Sequence, residues 1–126
     1  MGVTYDAGAI IAAERNDRRM WALHAGLLSE SVVPTVPAPV LTQTWRGGSH
    51  QANVARFLRP CAVDQLDEAS ARQAGELLGR ADRSDVTDAV VVEGALRRGD
   101  AVVTSDPDDL HHLAAAVDAR LVTEPV

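Results

Sequence analysis

Ser84–Leu110, SDVTDAVVVEGALRRGDAVVTSDPDDL, is the stretch on which the fold turns. Asp85 opens a segment with apolar residues at helical spacing. Arg97-Arg98-Gly99 then gives a basic last turn and a helix-ending glycine. Ala101–Thr104 follows as a short buried strand, and Ser105–Asp109 as an acidic loop. Asp85 and Asp88 lie three residues apart, so they share one face near the helix start. Asp106, Asp108 and Asp109 fall just beyond the strand, where parallel sheets carry their ligand sites. Two readings fit these acids. One is a divalent-metal site, because hard cations take several carboxylate oxygens. The other is helix capping beside a solvated acidic loop.

The rest of the chain continues this alternation. Val3-Thr4-Tyr5 reads as a strand that ends at Asp6, and Ala7–Ala13 as an apolar helix. Asp6 stands at their junction, as a helix cap or as a metal ligand at a strand end. Arg15–Ser29 is helical, with Asn16-Asp17 as its cap. Val32–Val36 is a second strand, short or irregular because Pro34 removes a ladder donor. Pro39 begins a helix over Val40–Arg46 that Gly47-Gly48 ends. Ser49 caps Ser49–Leu58, and Cys61–Val63 is a third strand. Asp67 caps Glu68–Leu78, which Gly79 closes. Beyond the acidic loop, Leu110–Val117 is a helix and Ala119–Thr123 a last strand. Strands and helices that alternate in this way predict a parallel sheet of about five strands with helices on both faces. The 126 residues suit a single domain over 1–126.

Composition removes several chemistries. All 12 basic residues are arginine, so a Walker A lysine and lysine Schiff-base catalysis are excluded. Receiver domains need a lysine too. Haloacid-dehalogenase-type phosphatases share that need, and DxDx[TV] is absent after the first strand. The net charge of −6 argues against a wide basic footprint for nucleic acid. One cysteine, Cys61, rules out an intrachain disulfide and a cysteine-rich zinc site, and fits a reducing cytoplasm. No signal peptide or membrane-spanning run is expected. His111 and His112 are adjacent and so face different ways.

With these residues in hand, the chain resembles the PIN-domain family, and within it the VapC-type toxins of bacterial type II toxin–antitoxin modules. VTYDAGAIIA (3–12), PTVPAPVLTQTWRGG (34–48) and DVTDAVVVEGALRRGDAVVTSDPDDL (85–110) carry the resemblance, in that order, over essentially the whole chain. It implies a PIN-like three-layer sandwich and a metal-dependent endoribonuclease using Mg²⁺, with Mn²⁺ as a substitute. Asp6, Asp88 and Asp106 match the catalytic and metal-binding acids, and Asp109 a further metal ligand. Asp85 and Asp108 match less consistently and take capping or supporting roles. Ser105 is placed to meet a phosphate or a water, and Thr104 to orient a neighbouring carboxylate.

The resemblance has one departure. Gln43 stands where the family carries a glutamate, bringing an amide oxygen without charge. Arg46, Arg80 and Arg83 are candidates for RNA phosphate contact, with surface salt bridges as the plain alternative. The products implied are a 5′-phosphate and a 3′-hydroxyl. The implied partners are an RNA substrate, a second copy in a homodimer, and a small cognate antitoxin. Operator DNA is reached only through that antitoxin. The antitoxin tail would fill an apolar groove lined by the Met20–Leu28 and Val40–Trp45 helices, with Trp21 and Trp45 as anchors or as core. The competing reading is a catalytically silent domain that binds antitoxin and operator.

Overall fold

The computed structural model describes residues 1–126. In chain order the elements are β1 (Val3–Tyr5), α1 (Ala7–Glu14), α2 (Arg18–Ser29), β2 (Thr35–Pro37), α3 (Ala38–Thr44), α4 (Ala52–Leu58), β3 (Ala62–Asp64), α5 (Glu68–Ala81), α6 (Val86–Arg98), β4 (Ala101–Thr104), α7 (Pro107–Ala115) and β5 (Thr123–Pro125). All strand pairs are parallel, in the order β3–β2–β1–β4–β5. The order therefore reverses between β1 and β4, which pair with Thr4 opposite Val102 and Tyr5 opposite Val103.

Right-handed crossovers on the two sides of that reversal put α1–α4 on one face and α5–α7 on the other. The packing agrees: α1 meets α2, α3 and α4, while α6 meets α5 and α7. β4 is buried at every residue. Its Val102 and Val103 share a core with Tyr5, with Ala9, Ile10 and Ala13 of α1, and with Val91, Val92 and Ala95 of α6.

Local chemistry fixes most helix starts. The carboxylates of Asp17, Asp67 and Asp85 accept the backbone N–H of Met20, Ser70 and Asp88 at 2.8–2.9 Å. Several boundaries differ from the sequence reading. α7 starts at Pro107, so the acidic stretch is its first turn and not a loop; proline suits that position because its missing N–H would be unpaired there. α5 runs past Gly79 to Ala81, and Asp82 takes the left-handed end position at φ 53°. Ser49–Gln51 is a 3-10 turn in which Ser49 makes no capping bond. β2 is limited to Thr35–Pro37. The last strand is Thr123–Pro125 and not Ala119–Thr123, because pairing with β4 sets Thr123 opposite Val102. Leu121 goes into the core instead.

A polar network closes the end of α6 far from its cap. Arg98 donates through Nε to Asp100 (3.0 Å), through Nη2 to the Thr4 hydroxyl (2.9 Å), and through Nη1 to Asp64. Thr4 in turn donates to Asp100 at 2.8 Å. Arg97 adds bonds to Asp64 and Glu93. The network ties β1, β3, β4 and α6 together. Removing Arg98 leaves the buried Asp100 carboxylate without its cation. Arg98→Ala is expected to cost about 3 kcal/mol, whereas Arg72→Ala, which breaks an exposed pair with Glu68, is expected to cost about 0.5 kcal/mol. Urea unfolding midpoints of the two variants check this.

Candidate metal centre

The strand reversal brings four acids to one edge. Asp6 follows β1 directly and caps α1, its Oδ1 accepting from Ala7 N–H at 2.8 Å. Its Oδ2 accepts from the Thr104 hydroxyl at 2.9 Å, at the end of β4. The same Thr104 oxygen accepts from Asp106 N–H at 3.0 Å. One buried hydroxyl thus links the acid after β1 to the start of α7. Asp106 occupies the N-cap position of α7, yet its carboxylate makes no capping bond. Asp109 lies in that first turn, and Asp88 in the first turn of α6. Ligand oxygens of Asp88, Asp106 and Asp109 all lie within 4.8 Å of one another.

Crowding shows in the proton affinities. Asp88 is pushed up to about 7, first by burial and then by the charges of Asp85, Asp6, Asp106 and Asp109. Asp106 is also raised, by lost hydration, then by its hydrogen bond to Asp109 and that residue's charge, then by Asp6 and Asp108. Both shifts favour the protonated carboxyl, and a cation among the oxygens would favour the charged one. The cluster's donors are all carboxylate oxygens, with no histidine or cysteine among them. That set fits a hard divalent ion such as Mg²⁺ or Mn²⁺.

The other sequence candidates are placed as follows. Asp85 gives an oxygen to its helix cap. Asp108 lies exposed in the first turn of α7. Ser105 is exposed and packs against α1 at Gly8, where a Cβ would lie 2.5 Å from its Oγ and 2.9 Å from its backbone N. Gln43 is exposed on α3 outside the three-acid set, in clefts shared with Thr87 on one side and with Glu14 and Arg46 on the other. None of Arg46, Arg80 and Arg83 forms an ion pair. Arg80 lines a cleft with Glu76 and Glu93, away from the acids. The histidines diverge as expected: His111 meets the Thr123 hydroxyl and His112 the Ala81 carbonyl.

An apolar groove of about 710 Å³ exists, but α2 does not line it. Leu41 and Trp45 face Leu58, Cys61 and Val63 across it. Trp45 is exposed, while Trp21 packs edge-on against Phe57 and donates to the Ala13 carbonyl. Sequence reasoning missed two residues. Gly8 admits Ser105 against α1; its one signal was a glycine inside an apolar first turn. Gln51 is buried and organises the loop after α3, with no signal in the sequence.

No protein-family model matches the chain, and no curated protein matches it. Solved structures do. A chain of VapBC2 from Rickettsia felis bound to a DNA fragment from their promoter aligns with TM-score 0.75 at 12% identity, over 99% of this chain and 98% of that one. A chain of FitAB bound to an IR36 DNA fragment aligns with TM-score 0.69 at 14% identity, over 98% and 94%. The chain shares their fold over nearly its whole length, and that fold is the PIN-like sandwich of the sequence reading.

The folded-state pKa of Asp88, about 7, lies above the 3.8 of a free aspartate. Its contribution to stability is present below pH ~4 and is lost as pH rises through ~7. In EDTA, Asp88→Asn is therefore expected to raise the melting temperature by several degrees near pH 8 and to change it little near pH 4. Mg²⁺ or Mn²⁺ should raise the melting temperature of the wild type at pH 8 and that of the variant much less. Calorimetry at the two pH values, with and without metal, checks both parts.

Proposed function

We propose that this chain is a Mg²⁺-dependent endoribonuclease toxin that hydrolyses RNA phosphodiesters and is neutralised by a cognate antitoxin. The observation that carries the reading is the convergence of Asp88, Asp106 and Asp109 within 4.8 Å, beside an Asp6 fixed by two hydrogen bonds. When bound, the divalent ion supplies the charge that activates a water and stabilises the departing oxygen.

The chain's own residues do the rest. Asp88, Asp109 and one oxygen of Asp106 would hold the ion, with Asp6 beside them. Thr104 keeps Asp6 and the first turn of α7 in register. The oxygen of Asp106 left over from the ion, which is not given to its helix, would accept the proton of the attacking water. Ser105, exposed beside it, donates to a phosphate oxygen. Water is the nucleophile, so the RNA 2′-hydroxyl takes no part in the chemistry, and RNA is chosen by shape and exposed bases.

The partners follow the same reading. The VapBC2 and FitAB structures are complexes bound to DNA, which supports an antitoxin that carries this chain to operator DNA. The groove at Leu41, Trp45 and Val63 suits the apolar side of that antitoxin. The chain works as a homodimer in the cytoplasm; no helix is long and apolar enough to cross a membrane. Gln43 favours a second reading, a silent domain that binds antitoxin and operator, because it brings no charge to the acids.

Purified protein is expected to cleave a pool of tRNA and ribosomal RNA with Mg²⁺ or Mn²⁺ and not with EDTA. Asp88→Asn should lower the rate about a hundredfold or more. Gln43→Glu should change it by less than about tenfold. A folded wild type that cleaves nothing, joined by a Gln43→Glu variant that does, would establish the silent module instead.

A further inference from the structure

The loop WRGGSHQ (45–51) is built with more care than a connector needs. The Gln51 side chain is 2% exposed and all of its bonding serves this region. Its Oε1 accepts from Arg46 N–H at 2.7 Å and Gly47 N–H at 3.0 Å. Its Nε2 donates to the Thr44 carbonyl at 2.8 Å and to Glu14 Oε2 at 2.9 Å. Gly47 and Gly48 take left-handed φ values of 77° and 87°. A Cβ on Gly48 would lie 3.1 Å from the His50 ring, so the glycine lets that ring close over the turn. A fully buried amide holding an exposed loop in one shape marks a preorganised binding element.

The loop walls a cleft of about 340 Å³, with Ile10 and Ile11 beside it. Four polar side chains converge there: Glu14, Gln43, Arg46 and His50. Arg46 Nη1 is pinned to the carbonyls of Thr42 and Trp45, so its charge is fixed without a carboxylate partner. Glu14 Oε2 is held by Gln51, and Oε1 makes no protein hydrogen bond. Gln43 also borders the neighbouring cleft at Thr87, one residue from Asp88. The two clefts thus share Gln43 as a common wall.

A ligand here meets an acceptor carboxylate on one side and a fixed guanidinium on another, between aliphatic and imidazole surfaces. Guanine answers both. Its N1–H and N2–H₂ form a donor pair for a carboxylate, and its O6 and N7 an acceptor pair for arginine. Adenine and the pyrimidines lack that combination. We propose that this cleft is a base-reading subsite for an unpaired guanosine of single-stranded RNA. In it, Glu14 and Arg46 read opposite edges and His50 covers the ring. Gln43 is then a substrate-side residue and not a metal ligand. The inference rests on RNA being the substrate, and it names the base that the protein reads.

The test is equilibrium binding in EDTA at low salt, where neither cleavage nor a bound cation enters the readout. The probes are 5′-labelled pentanucleotides UUGUU, UUAUU and UUUUU, followed by fluorescence anisotropy. The wild type should bind UUGUU about tenfold more tightly than the other two. Glu14→Gln, which preserves shape and an oxygen for Gln51, should abolish the preference. Arg46→Ala should abolish it and weaken UUGUU binding. Arg72→Ala, at an exposed ion pair on α5, should keep it. Equal binding of the three probes, no binding of any, or a preference that survives Glu14→Gln overturns the inference. A retained preference without metal-dependent cleavage would sink the nuclease reading and leave the subsite standing.

Discussion

Four carboxylates, Asp6, Asp88, Asp106 and Asp109, meet where the strand order reverses, and their mutual repulsion is what the surrounding structure has to withstand. Three helices aim their N-termini at this edge. Asp6 caps α1, Asp88 lies in the first turn of α6, and Asp106 and Asp109 begin α7. Each N-terminus offers partial positive charge. The Thr104 hydroxyl adds a hydrogen bond to Asp6 from the one strand that neighbours both β1 and β5. Asp88 is nonetheless pushed up to about 7, first by burial and then by its acidic neighbours. A divalent cation would offset both.

Holding like charges together needs a rigid frame, and α6 supplies it. Its middle, Ala89–Val92 with Gly94 and Ala95, is buried. Its first turn carries Asp88, and its last turn carries Arg97 and Arg98. The Arg98 network fixes that far end to β1, β3 and β4 through Thr4, Asp64 and Asp100. An acid pole and a cation-bonded pole thus sit on one buried rod, aligned with the favoured sense of the helix dipole.

Much of this was legible in the sequence because it is encoded locally. Asp6, Asp85 and Asp106 each stand at a strand end or a helix start, and a five-strand alternation follows from periodicity alone. What stayed hidden depends on distant partners. The position of the last strand is set by its pairing with Val102, not by its own composition. Gly79 is a plausible stop, but Asp82 takes the left-handed turn in its place. The acidic loop is a helical turn, because Pro107 starts a helix as readily as it interrupts one. The close contact of Gly8 with Ser105 spans 97 positions, and one of the four bonds of Gln51 reaches back to Glu14. A single sequence names neither partner.

Gln43 gains its meaning from this geometry. A glutamate there would add another negative charge to an edge where Asp88 is already pushed up to about 7, in a chain of net charge −6. A neutral amide avoids that cost and leaves the Arg46 charge nearby uncancelled. In an acidic protein, local balance decides more than net charge at any one cleft. At about 0.15 M salt fields fade beyond roughly 8 Å, so an anion at the cleft would respond to Arg46 and Glu14 more than to distant acids. A neutral amide at position 43 therefore leaves the charge balance of its cleft to Arg46 and Glu14.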